Sequence, residues 1–132
     1  MAVALKAPDK LLPVKGVRLA AIAAGIKKKT GACDLVLFEL APDSVCAATF
    51  TKNLFCAAPV IIAKKHLAQQ SPRYLLINAG NANAGTGSRG IEDAIACCAL
   101  VAGRAGCDTA QVLPFSTGVI GETLLPKTLP AH

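Results

Sequence analysis

Residues 74–105 read YLLINAGNANAGTGSRGIEDAIACCALVAGRA. The opening Tyr74 to Ile77 is a compact apolar run, the mark of a buried strand. From about Ile91 to Ala105 the pattern changes. Ile91, Ile95, Cys98, Ala99 and Ala102 fall at i, i+4, i+7, i+8 and i+11, one apolar stripe of a helix. Glu92 and Asp93 in its first turn and Arg104 in its last complement the helix dipole. Gly106 supplies a stop. A strand, a glycine-rich loop and a helix, followed by apolar Val112 to Phe115, predict an α/β or α+β domain.

Outward from this unit, Asp34 to Leu40 (DLVLFEL) and Val45 to Thr51 (VCAATFT) flank Ala41-Pro42-Asp43-Ser44. That separator is turn chemistry, so the pair is expected to be a hairpin. Pro59 to Ala63 is expected as a further strand, with a short helical stretch around Lys64 to Gln70 that Ser71-Pro72 ends. Residues 1–15, with Pro8 and Pro13, read as an irregular lead-in. Residues 16–132 read as one α/β segment, since 132 residues suit a single domain.

Hydrophobic residues make up 53% of the chain and aromatic ones only 4%, so the core is built from Ala, Val, Leu and Ile. Small side chains bury little area each and require close approach of backbones. Such a segment is not expected to be highly stable alone; the alternative is that it completes its core against another chain or further sequence. The net charge of +6 gathers only in Lys27-Lys28-Lys29 and Lys64-Lys65, with no interleaved aromatic residues to stack on bases. That argues against a nucleic-acid partner.

The six cysteines, Cys33, Cys46, Cys56, Cys97, Cys98 and Cys107, contain no C-x-x-C pair, which removes the usual zinc and redox readings. Val17 to Ile26 is short and broken by Gly25, so it does not read as a signal peptide. No run approaches the ~20 apolar residues of a membrane span. The expectation is a cytoplasmic chain with reduced thiols, all six behaving as small buried apolar side chains.

Two loops carry candidate chemistry. Gly85, Gly87 and Gly90 spell G-x-G-x-x-G before a helix, and Asp108 follows. A nucleotide site requires the glycines directly after their strand and the acid at the end of the next one. Here seven residues separate Ile77 from Gly85, and Asp108 precedes Val112. Asn78, Asn81 and Asn83 alternate with small residues, giving either a hydrogen-bonded structural loop or a buried amide network beside an active site. The second loop is Ser116-Thr117-Gly118-Val119-Ile120-Gly121. Within one tight turn, the Thr117 hydroxyl and the Gly118 N–H can point at one spot, the geometry of an oxyanion hole.

Asn78 to Gly87 followed by Ser116 to Gly121 resembles the ornithine acetyltransferase (bifunctional glutamate N-acetyltransferase) family of arginine biosynthesis. Ala24-Gly25-Ile26-Lys27, Asp34-Leu35-Val36-Leu37, Thr49-Phe50-Thr51-Lys52-Asn53 and Ala57-Ala58-Pro59-Val60 fit the same pattern, so the resemblance runs from Gly16 to Pro126. It implies an α/β fold, a mixed sheet with packed helices in an N-terminal-nucleophile-like α/β sandwich, incomplete in this sequence. It also implies a precursor that cuts itself before a Thr into α and β chains. The freed Thr takes the acetyl group from N-acetylornithine and passes it to glutamate, giving ornithine and N-acetylglutamate. Thr117 and Gly118 match the family's oxyanion-hole pair. The family needs no cofactor or metal, and acetyl-CoA is a further donor in its bifunctional members. Its implied partner is the β chain of the same precursor, in a heterotetramer or larger assembly.

An N-terminal Thr uses its own α-amine as base, so neither His66 nor His132 is needed for catalysis. His66, beside lysines, is expected at the surface. The family's α chain runs on past the Ser116–Gly121 motif, whereas Thr123 and Thr128 lack the small-residue cleavage junction. The expectation is therefore a segment truncated before the self-cleavage site and inactive alone. The competing readings are a non-catalytic truncated paralogue serving as an interaction subunit and, behind it, a nucleotide-binding module.

Overall fold

The computed structural model describes residues 10–124. The sheet has four strands: β1 (Val17–Ile22), β2 (Leu35–Leu40), β3 (Tyr74–Asn81) and β4 (Val112–Val119). They lie in chain order, with β1–β2 and β2–β3 antiparallel and β3–β4 parallel. Helix α1 (Ala58–Leu67) lies between β2 and β3, and α2 (Gly87–Ala105) makes the crossover that a parallel β3–β4 pair requires. A short 3₁₀ turn, Thr109–Gln111, capped by Asp108, leads into β4. This is the expected mixed sheet with packed helices.

The core lies between one sheet face and α2: Leu35, Leu76 and Val112 from the strands meet Cys97, Cys98 and Ala102 from the helix. Helix α2 buries Gly90, Asp93, Ala94, Cys97, Cys98 and Ala102, a stripe of mostly small residues that lets helix and sheet approach closely. That stripe is rotated from the expected one, because Ile95 and Ala99 are exposed. The helix also starts at Gly87, so Glu92 and Asp93 sit beyond its first turn. Gly106 ends it in the left-handed conformation, at φ 66°.

The register places a second apolar set on the opposite sheet face. Leu19 stands beside Phe38, Phe38 beside Leu75, and Leu75 beside Leu113; Val36, Ile77 and Phe115 form a parallel row. No described helix lies in the sequence between β1 and β2 to cover it, and Leu19 and Phe115 remain 56% and 42% exposed. Leu113 in this row is buried and Val36, Phe38, Leu75 and Ile77 are half-buried, so this second face is open chiefly at Leu19, Phe115 and Thr117.

Four expectations are corrected. Val45–Thr51 is not a strand, because β2 already pairs with β1 on one side and β3 on the other. Pro59–Ala63 is helical, within α1, where Pro occupies a first-turn position that has no backbone bond to lose. His66 is buried, its Nδ1 lying 2.8 Å from the Val112 carbonyl oxygen. Only Cys97 and Cys98 are buried thiols; Cys33 is exposed, and the other three are partly buried. In the 1–15 lead-in, residues 10–15 have no regular structure up to a turn at Lys15, and residues 1–9 lie outside the described residues, as do Thr128 and His132. Among the described residues, no helix is long and apolar enough to cross a membrane.

Candidate active site

Ser116, Thr117, Gly118 and Val119 form the end of β4, and the turn comes after them, at Ile120-Gly121. The expected hydroxyl–amide pair therefore sits on a strand, not within a turn. Ser116 faces the helix side, where its hydroxyl donates to Asn78 Oδ1. Strand alternation turns the next side chain, Thr117, to the opposite, open face, and Thr117 is exposed. Gly118 follows at φ 137°, a conformation that glycine adopts freely.

Gly118 lies on the backbone of Gly80 in β3, and a Cβ at 118 would reach within 2.6 Å of the Asn81 nitrogen. Gly80, at φ 131°, lies in turn against Ile26, whose backbone a Cβ at 80 would meet at 3.2 Å. Gly118 thus meets Gly80 backbone to backbone, and Gly80 in turn meets both the side chain and the backbone of Ile26. Here the register slips: Asn81 pairs with both Thr117 and Val119, a β-bulge. Bulges bend a strand and re-aim what it carries.

The asparagines form a buried network around the slip, all three at most 6% exposed. Asn78 Nδ2 donates to the Asn81 carbonyl at 2.8 Å. Asn81 Oδ1 accepts from Asn83 N at 2.7 Å, and its Nδ2 donates to the carbonyls of Glu122 and Thr123 at 3.1 and 3.2 Å. Asn83, at φ 46°, donates to Gly90 O and accepts from Thr86 Oγ1, both at 2.8 Å. The Asn83 carbonyl also receives the first amide of α1, from Ala58, at 3.1 Å. The Asn/Gly loop is thus a buried hydrogen-bonded amide network, and it abuts the Thr117–Gly118 strand.

Asp34 stands immediately before β2. It is buried, and its carboxylate accepts from Ala24 N at 2.7 Å and Lys27 N at 2.8 Å. The Lys27 amide leads the interactions that hold its pKa below the ordinary carboxylate value, against the opposing effect of burial. Asp34 thereby shapes the 24–27 loop that presses Ile26 on Gly80. The available signal was an acid beginning an apolar strand, which has no reason to be there unless its charge is satisfied.

The glycine pattern of the nucleotide reading has another use. Strand β3 runs on to Asn81, so the glycines lie closer to their strand than expected. Gly85 is overlain by Phe55, and Gly90 is packed where a Cβ would collide with Thr86 and Asn83. Asp108 is consumed as a cap, its Oδ1 accepting from Ala110 N at 2.8 Å.

Comparison with known proteins agrees with this architecture. The ArgJ family model matches residues 18–132. "Arginine biosynthesis bifunctional protein ArgJ" of Methylococcus capsulatus is 56% identical over 115 residues, covering 87% of this chain and 28% of that protein. The protein of the same name from Neisseria meningitidis serogroup A is 50% identical, covering 96% of this chain and 33% of its own length. The chain therefore spans about a third of the curated relatives it matches. Among solved structures, the Bacillus halodurans ArgJ superposes with a TM-score of 0.81 at 33% identity, over 86% of this chain and 59% of that one. Mycobacterium tuberculosis ornithine acetyltransferase complexed with ornithine superposes with a TM-score of 0.78 at 36% identity, over 87% and 62%. The chain belongs to the ArgJ family.

Proposed function

We propose that this chain is the N-terminal part of the α chain of an acetyltransferase that moves an acetyl group from N-acetylornithine to glutamate, and that Thr117 and Gly118 form its oxyanion hole. The observation that carries this reading is the placement of Thr117. It is an exposed hydroxyl on an open sheet face, next to a Gly118 fixed against Gly80. Preorganised donors of this kind act where charge develops in the transition state.

The nucleophile in this reading is a Thr freed at the start of a β chain cut from the same precursor. Its α-amine takes the hydroxyl proton as Oγ bonds to the acetyl carbon, and the carbonyl electron pair moves onto oxygen. The Thr117 hydroxyl and Gly118 N–H donate to that oxyanion. On collapse the C–N bond breaks, and the ornithine amine leaves with the proton. Glutamate's amine then attacks the acetyl-Thr ester through the same oxyanion geometry, and the Thr hydroxyl is regenerated.

The open face with Leu19, Phe38 and Phe115 is where the rest of the polypeptide packs in this reading, with α and β chains assembling as a heterotetramer or larger. Alone, the present chain forms no acetyl-enzyme. The test is intact-mass spectrometry with N-terminal sequencing on protein purified from its source. A second chain that begins with Thr, and that gains an acetyl group on incubation with N-acetylornithine, is expected. An unprocessed, unacetylated species would refute the reading.

A further inference from the structure

We propose that Asn81 is a positioning residue for acetyl transfer, setting the aim of the Thr117–Gly118 pair by holding the chain just after it. The inference rests on the oxyanion-hole reading above. Its own basis is that one side chain controls both sides of a register slip. Asn81 is the last residue of β3, and its backbone pairs with Thr117 and with Val119, on either side of Gly118. Its Nδ2 ties down the carbonyls of Glu122 and Thr123, while its Oδ1 is occupied by Asn83 N. Two backbone bonds complete the clamp: Ala82 N to Val119 O and Gly121 N to Ala84 O, each 2.8 Å.

The segment ahead of the pair is fixed separately, through the Ser116 hydroxyl on Asn78. The strand is thus pinned before Thr117 by Asn78 and after Gly118 by Asn81. Only the second pin depends on a side-chain donor reaching successive carbonyls beyond a turn. Both of those acceptors are backbone atoms, so no partner side chain can supply the missing half if Asn81 changes. Aspartate keeps the shape and the acceptor but puts an oxygen where Nδ2 faces two carbonyl oxygens.

The experiment uses the full-length polypeptide in which this chain is the N-terminal segment. Asn81→Asp, Thr117→Ala and the unaltered protein are compared, with rates normalised to active centres counted by acetyl-enzyme titration. Asn81→Asp is expected to lower kcat by about 10- to 100-fold, as a misplaced reacting geometry does, with KM for N-acetylornithine within about twofold. A purely structural role would lower the count of active centres and leave kcat per centre unchanged, and that result would overturn the proposal.

Hydrogen–deuterium exchange gives a second readout, independent of turnover. Peptides spanning residues 116–124 should exchange faster in Asn81→Asp while those of α2 do not; equal exchange at 116–124 would also overturn it. If Asn81→Asp yields no processed enzyme, Asn81→Ser, which loses the reach without adding charge, carries the same two measurements. Thr117→Ala separates the two levels. A slowed Thr117→Ala with an unchanged Asn81→Asp refutes only the positioning role. An unchanged Thr117→Ala refutes the oxyanion hole on which it rests.

Discussion

Gly118 and Gly80 pack backbone to backbone across β3 and β4, leaving no space for a Cβ on Gly118. The contact fixes Gly118 without a side chain, on the strand whose neighbouring residue turns its hydroxyl to the open face. Gly118→Val must push the strands apart and force a branched residue to φ 137°. Overpacking and backbone strain together cost about 2–5 kcal/mol. A drop in thermal midpoint of several degrees with loss of acetyl transfer is expected; a variant with unchanged melting would mean that the strands are not locked at this point.

His66 fastens α1 to the start of β4. His66→Ala removes its ring from the Val112 carbonyl and strands a buried acceptor, worth about 1–3 kcal/mol. Urea unfolding should show a lower midpoint. A midpoint equal to that of the unaltered protein would contradict the buried placement.

Asp34 ties acid sensitivity to the 24–27 loop. Its pKa is depressed in the folded state, so its contribution is fully present above the unfolded value of about 3.9 and is lost as pH falls through the lower folded value. Asp34→Asn should be less stable at neutral pH by about 1–3 kcal/mol, with the gap to the unaltered protein closing below about pH 4. A gap that stays constant into acid would show that the carboxylate charge contributes nothing.

The thiols should separate by reactivity. Burial pushes Cys97 up to about 11 and Cys98 up to about 12, whereas Cys33 is exposed. The thiolate is the reactive form. Iodoacetamide at pH 8, followed by peptide mapping, should modify Cys33 within minutes and leave Cys97 and Cys98 intact until the protein unfolds. Modification of Cys98 in the folded protein would contradict its place in the core.

The sequence carried β2, β3 and α2 clearly, because each holds a local apolar signal. Asp34–Leu40 and Tyr74–Ile77 are dense in large apolar residues, and α2 has both periodicity and a glycine stop. Its exact buried stripe was not legible, since close packing on the sheet favoured Ala94 and Cys97 over the larger Ile95. Strand β1 has only a weak local signal, since the Val17-Arg18-Leu19 alternation gives way to Ala20-Ala21, and pairing with β2 selects it. PVIIA looked like a strand because its branched residues favour one. Packing against β4 overrides that preference, and Pro59 suits the helix start.

At the site, Thr117 and Gly118 were legible as a hydroxyl and an amide side by side, although they were placed in a turn that begins two residues later. Asp34 and Asn81 were not legible as supports. Their acceptors and donors are backbone atoms brought near by folding: Asn81 reaches carbonyls 41 and 42 residues away.

The central claim is that the Thr117 hydroxyl stabilises the oxyanion of acetyl transfer. The measurement that tests it most directly is the single-turnover rate of acetyl-enzyme formation from N-acetylornithine in the full-length protein, unaltered and as Thr117→Ala. Because Thr117 is exposed on β4, its loss should leave folding intact. The account predicts a rate slower by roughly 10²- to 10³-fold, the usual effect of removing one oxyanion donor. Equal rates in the two proteins would contradict it.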